Sequence, residues 1–84
     1  MKHAGQETLN GISGLLARIQ TYPGLVERRP GVFYRRGQAF LHFHEDPAGL
    51  FADLKKDGDW LRLTVDDPAG AEQLLSEIGR LATG

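Results

Sequence analysis

The sequence predicts an α+β fold, a two-layer sandwich in which an antiparallel sheet packs against helices on one of its two faces. Apolar residues recur at helical spacing near both ends of the chain, whereas apolar and polar residues alternate through its middle. Glycine-containing turns separate the alternating segments. Because the chain has 84 residues and no cysteine, we expect a single domain over 1–84 with a small core that no disulfide reinforces.

The first predicted element is a helix over about 7–21, preceded by a disordered segment at 1–6. The apolar residues that lie three and four positions apart in this span are Leu9, Ile12, Leu15, Leu16 and Ile19. Gly11 and Gly14 lie within the same span, and each costs up to about 1 kcal/mol relative to alanine. The early turns should therefore be the weakest part of this helix.

An antiparallel meander of four strands is predicted next, at about 32–35, 38–44, 49–55 and 60–65. In an alternative interpretation of the sequence, Leu25 and Val26 form a fifth strand. Arg36-Gly37 and Asp57-Gly58 fit two-residue hairpin turns, and residues 45–48 suit a four-residue loop. With these turns, all three hairpins place their aliphatic side chains on the same face of the sheet, which we expect to be buried.

The last predicted element is a helix over about 68–82. Asp67 is a suitable N-cap, and Pro68 occupies the first helical position, where its missing N–H costs nothing. The apolar stripe of this helix consists of Ala71, Leu74, Leu75, Ile78 and Leu81. The predicted order is α-β-β-β-β-α, with the N-terminal and C-terminal helices on one face of the sheet.

The predicted register leaves an unusual set of side chains on the opposite surface, which we call the open face. The candidate ligand or interface residues on it are Phe33, Phe40, His42, His44, Phe51, Asp53, Trp60 and Arg62. In this register Phe40 lies opposite Asp53, and His42 lies opposite Phe51. Four large aromatic side chains are more apolar surface than a small monomer normally exposes. The open face is therefore expected to bind a small ligand, a partner protein or a second copy of the chain.

The sequence supports a metal site or a catalytic site on the open face less well than it supports ligand or partner binding. His42 and His44 project from one side of a strand, but structural zinc usually takes four protein ligands and catalytic zinc three, so we expect no metal or other cofactor. A metal-dependent or acid/base enzyme centred on these histidines is the alternative. It lacks a nucleophile, because Ser13 and Ser76 belong to the helices on the other side of the sheet. We expect no catalysis by this chain alone.

The charge and hydropathy of the chain argue against two classes of binding partner, nucleic acids and membranes. The net charge of −1 argues against general nucleic-acid binding. Four arginines still allow it as an alternative, with bases stacked on the sheet aromatics and phosphates bound by Arg28, Arg29, Arg35 and Arg36. No segment has the pattern of a signal peptide or the length of a membrane span, so a cytoplasmic location is expected.

One hairpin of the sequence resembles a known family. The strand pattern G-x-x-F-x-H-x-H and the following GL-x-A-D strand are matched by Gly37, Phe40, His42, His44, Gly49, Leu50, Ala52 and Asp53. This pattern resembles the luciferase-domain family of small bacterial proteins, whose name implies no light-emitting chemistry, and the likeness extends over about residues 22–82. In element order the chain is also similar to YjbR/MmcQ-like domains, an architectural likeness that implies a fold and not a function.

Overall fold

The computed structural model describes residues 2–83, which form the predicted α+β sandwich. In chain order the elements are β1 (Lys2–His3), α1 (Gln6–Asn10), α2 (Ser13–Gln20), β2 (Leu25–Arg29), β3 (Val32–Arg35), β4 (Gln38–Asp46), β5 (Gly49–Lys56), β6 (Asp59–Thr64) and α3 (Pro68–Thr83). The strands pair antiparallel in the order β2-β3-β4-β5-β6, and the short β1 adds to β4. The fifth strand that the alternative interpretation places at Leu25 is therefore present as β2.

The two predicted glycine turns are confirmed. Arg36 and Gly37 have φ of 53° and 78°, and Asp57 and Gly58 have φ of 52° and 81°. Positive φ at both central residues defines the type I′ turn, whose twist matches that of the strands it joins. Both turns lie at the same end of the sheet, because the β4–β5 turn between them lies at the other end.

The β4–β5 turn is shorter than predicted, and this changes the register. Asp46 pairs with Gly49, so the loop is Pro47–Ala48 instead of four residues. The Asp46 side chain stabilises the turn by accepting a hydrogen bond from the Ala48 N–H, at 2.7 Å. Strand β4 continues two residues into the predicted loop, whereas β5 begins at Gly49 as predicted, so the pairing shifts by two residues. A two-residue shift keeps every side chain on its predicted face and changes only its neighbours.

A β-bulge contradicts the predicted positions of two aromatic side chains. Phe33 pairs with Leu41 and Tyr34 pairs with Ala39, so Phe40 is an extra residue in β4. At a bulge the side-chain alternation breaks, and Phe40 and Leu41 are consecutive buried residues of the core. Phe33 shares the core face with its partner Leu41. Phe33 is 1% exposed and Phe40 4% exposed, so both leave the open face to which the sequence assigns them.

The N-terminal region differs from the prediction in two ways. The single helix predicted at 7–21 is two helices, α1 and α2, which separate at Gly11-Ile12 within the part expected to be weak. Lys2–His3, in the segment expected to be disordered, pairs with β4 as β1. Glu45, which the sequence assigns to a loop, joins the two regions by accepting hydrogen bonds from the Gly5 N–H and the Thr8 hydroxyl.

The core lies between the sheet and the helices. It is built from Leu9, Leu16, Ile19, Phe33, Phe40, Leu41, Phe43, Leu50, Ala52, Leu54, Leu63, Val65, Leu74, Leu75 and Ile78. Helix α3 begins as predicted, with the Gly70 N–H donating to the Asp67 carboxylate at 2.8 Å. Within residues 2–83, no helix is long and apolar enough to cross a membrane.

Candidate functional site

The observed register assembles a different row of side chains on the open face from the one predicted. His42 lies opposite Asp53, and Asp53 lies opposite Arg62. The next row pairs His44 with Phe51, whereas the sequence places His42 there. The two-residue shift in the β4–β5 hairpin is the cause. As a result, a histidine, a carboxylate and a guanidinium stand side by side on three adjacent strands.

Asp53 and Arg62 form a cross-strand ion pair. The Arg62 Nε donates to one carboxylate oxygen of Asp53 at 2.8 Å and its Nη2 donates to the other at 2.9 Å, a bidentate arrangement. These hydrogen bonds, together with the charge of Arg62, hold the pKa of Asp53 below its ordinary value. Asp53 is therefore a carboxylate at neutral pH, with its charge largely neutralised by Arg62.

Three imidazoles pack together beside this pair. The ring centroids are 5.0 Å apart for His3 and His44, 5.7 Å for His3 and His42, and 5.9 Å for His42 and His44. The strand β1 brings His3 there, because His3 pairs directly with His44. Within residues 2–83, however, no three His, Cys, Asp or Glu side chains form a group that could hold a metal ion.

His42 is the most unusual member of the cluster. Its Nε2 is buried and has no hydrogen-bond partner among the described residues. Its ring lies 5.2 Å from that of Trp60, tilted by 50°. Burial lowers the pKa of His42, and the nearby His3 and His44 lower it further against the opposing effect of Asp53. His42 is therefore neutral at pH 7, with one ring nitrogen whose hydrogen-bonding capacity is unused.

His44 is also neutral at pH 7, although it contacts a carboxylate. Its Nε2 lies 3.3 Å from the Asp53 Oδ2. Burial lowers the pKa of His44 by more than the nearby Asp53 raises it, and His3 and Arg62 also lower it. The contact with Asp53 therefore joins a carboxylate to an uncharged imidazole at neutral pH.

These residues border a concave region that we call the Trp60 depression. It has a volume of about 490 Å³ and is lined by His42, Asp53, Trp60 and Arg62. Trp60, the only tryptophan of the chain, is 41% exposed. The Lys55 Nζ lies 4.9 Å from the centre of its ring, which is cation–π distance. Small-molecule sites typically measure ~300–1,000 Å³ and combine aromatic walls with a few polar groups.

The other predicted site residues are dispersed. Phe51 remains on the open face, half-buried beneath Arg62, whose guanidinium carbon lies 5.9 Å from its ring centre. By backbone position, the four arginines of the nucleic-acid alternative are divided between the two ends of β3. Arg29 pairs with Val32 at one end, and Arg35 lies three residues away at the other, roughly 10 Å along the strand. Arg29 is therefore separated from Arg35 and Arg36, whereas the Arg28 guanidinium carbon lies 4.6 Å from the ring centre of Tyr34, the residue before Arg35.

With Phe33 and Phe40 in the core, the open face is less apolar than predicted. Among residues 2–83, the large hydrophobic side chains that remain exposed are Val26 and Trp60. Val26 lies on the edge strand β2, away from Trp60 on β6. The continuous aromatic patch that motivated self-association is therefore reduced to a single exposed tryptophan with polar neighbours.

Two site residues were missing from the predicted set. His3 could have been found from the lengths of the strands, since β4 extends beyond the end of β3 and leaves an edge that an N-terminal segment can pair with. Lys55 could have been predicted, because it lies two residues after Asp53 and therefore on the same face of β5. It also pairs with Trp60 close to the Asp57-Gly58 turn. Comparison with family models, curated proteins and solved structures finds no match to this chain, so its resemblance to the luciferase-domain family stays a prediction.

Proposed function

We propose that this chain is a small-molecule-binding domain whose site is the Trp60 depression. The observation that carries the proposal is that His42, whose buried Nε2 lacks a hydrogen-bond partner among the described residues, lines a concave surface. A buried polar atom without a partner costs about 1–3 kcal/mol. A ligand that hydrogen-bonds to this nitrogen recovers that cost, whereas the folded chain alone does not.

The neighbouring groups support ligand binding over self-association. Trp60 supplies an exposed aromatic surface, and the Arg62–Asp53 pair supplies a rigid polar edge. A depression of this size suits a compound of small-molecule dimensions. A stable protein interface, by contrast, normally buries about 800 Å² on each partner around apolar anchors, and the open face has one such anchor.

A fragment screen followed by amide and indole NMR spectra tests the proposal. Bound fragments should shift the indole N–H resonance of Trp60 and the backbone resonances of His42 and Arg62. The chain contains a matched control, a groove of about 400 Å³ lined in part by Leu9, Leu16 and Arg28. Fragments that select this groove, or that leave the Trp60 indole unshifted at millimolar concentration, would overturn the assignment.

The variant His42→Phe gives a second test with a defined direction. It keeps the ring beside Trp60 and removes the unpaired nitrogen, so the domain should fold at least as stably as the parent. Fragment affinity at the Trp60 depression should fall. If fragments bind His42→Phe as tightly as the parent, the unpaired nitrogen does not contribute to a site.

A further inference from the structure

A second concave region lies next to the Trp60 depression, at the end of the sheet where the two type I′ turns meet. We call it the turn-end depression. It measures about 320 Å³. Phe40 and Leu81 of α3 line it from the helix side, and its charged lining consists of Arg35, Arg36, Lys55 and Asp57. Three cations therefore face one carboxylate there. A surface of this composition favours an anion.

The three cations are not committed to carboxylates. Within residues 2–83, the ion pairs leave out Arg35, Arg36 and Lys55. Arg35 instead lies over the ring of Phe40, at 5.7 Å, and Lys55 lies over the ring of Trp60. The bulge contributes to this arrangement, because it places Phe40 on the helix side beneath Arg35.

Lys55 connects the two depressions. It lines the turn-end depression, and its Nζ rests 4.9 Å from the ring centre of Trp60, which lines the other. Lys55 and Trp60 are also direct partners across β5 and β6. An anion in the turn-end depression would attract the Lys55 ammonium away from the indole, which would uncover that face of Trp60 for a planar ring.

We infer that the ligand is an aromatic ring carrying a phosphate or carboxylate, with the ring at Trp60 and the anionic group at Lys55 and the end of the sheet, which Arg35 approaches from the helix side and Arg36 from the turn. The inference rests on the proposed function and specifies its ligand class. The remaining polar groups agree with it, since Arg62 and the Trp60 indole N–H can only donate hydrogen bonds. Acceptor-rich ligands match these donors, whereas cationic ones would be repelled by Lys55, since the charge of Arg62 is already balanced by Asp53.

The test compares a ring with and without its anionic group, using adenosine and adenosine 5′-monophosphate as probes. Binding is followed through the Trp60 indole N–H resonance and its intrinsic fluorescence. We expect the monophosphate to bind at least roughly fivefold more tightly, which is the combined effect of two or three exposed charge contacts. Its advantage should shrink as salt is raised from 20 to 500 mM, because exposed charges are screened.

Two adjacent lysines provide the matched control. Lys55 faces the open side, whereas Lys56 faces the helices and pairs with Glu77 at 3.0 Å. Lys55→Gln should abolish most of the preference for the monophosphate, and Lys56→Gln should keep it. The double variant R35Q/R36Q, which alters exposed or half-exposed side chains near a turn, should also reduce the preference.

Several results would overturn the inference. The anion subsite would be refuted if adenosine and its monophosphate bound with equal affinity, or if Lys55→Gln and Lys56→Gln lost equal amounts of the preference for the monophosphate. Either result would leave the proposed function intact. Failure of both probes would also reject this ligand class, and the fragment screen would still decide whether the Trp60 depression binds anything. A single-stranded octanucleotide that binds far more tightly than the monophosphate, with a steep salt dependence, would identify nucleic acid as the ligand instead.

Discussion

Replacing Phe40 with alanine tests the bulge that turns this side chain into the core. Phe40 is 4% exposed, so almost its whole ring is withdrawn from water. Burying such a ring contributes about 1.5–3 kcal/mol, and the cavity left by truncation raises the cost of Phe→Ala to about 3–5 kcal/mol. An 84-residue domain has a total stability of roughly 4–13 kcal/mol, from 0.05–0.15 kcal/mol per residue. The loss should therefore be a large fraction of the whole.

Phe51→Ala is the matched control for this experiment, because Phe51 is half-buried on the open face. Its truncation should cost about 1 kcal/mol, near half of the burial term for a full ring. Urea unfolding followed by circular dichroism measures both values. Phe40→Leu, expected to lose about 1–2 kcal/mol, remains measurable if the alanine variant does not fold. An alanine variant at Phe40 that is no less stable than the one at Phe51 would refute the inward position of Phe40.

The remaining predictions concern protonation and capping. The stability of the domain should be greatest above pH 6.5 and fall as the pH drops below it. In the unfolded chain a histidine has a pKa of 6.5 and gains a proton before folded His42 and His44, whose pKa values are lowered. A urea midpoint that does not change between pH 7.5 and 5.5 would contradict this. Arg62→Gln should raise the pKa of Asp53 toward 3.8, since Arg62 is the main cause of its depression, and a carboxyl carbon NMR titration measures the change. Asp67→Ala should cost about 1 kcal/mol and lower the Tm by roughly 4–8 °C, because the N-cap of α3 is lost, whereas an unchanged melting curve would exclude a stabilising cap.

Features determined by local chemistry were predictable from the sequence. The turns at Arg36-Gly37 and Asp57-Gly58 depend on glycine at a positive φ, and the start of α3 depends on Asp67 and Pro68, so a few adjacent residues are sufficient to identify them. In the β4–β5 hairpin, the division of side chains between core and open face also survived the error in register, except for Phe40 at the bulge. It did so because the hairpin slipped by two residues and not by one.

Features determined by tertiary packing were not predictable in this way. The stretch around Phe40 is a run of three apolar residues, Ala39-Phe40-Leu41, and it carries no glycine or proline that would mark a bulge. The bulge forms because the core gains an aromatic side chain, a contribution of about 1.5–3 kcal/mol that the local pattern does not reveal. Likewise, the position of His42 beside Asp53 depends on the length of the Pro47–Ala48 turn, and His3 reaches the cluster only through a pairing 41 residues away in the chain.

The position of β1 has a practical consequence for anyone preparing this protein. Residues added before Lys2 would emerge next to the three imidazoles, and a polyhistidine tag there would supply further imidazoles to the very surface being assayed. Such a tag would interfere with titrations of this surface with metal ions, protons or ligands. The C-terminal helix packs on the opposite side of the sheet, so a purification handle placed after α3 avoids the imidazoles and the Trp60 depression, although it follows closely on Leu81, which lines the turn-end depression.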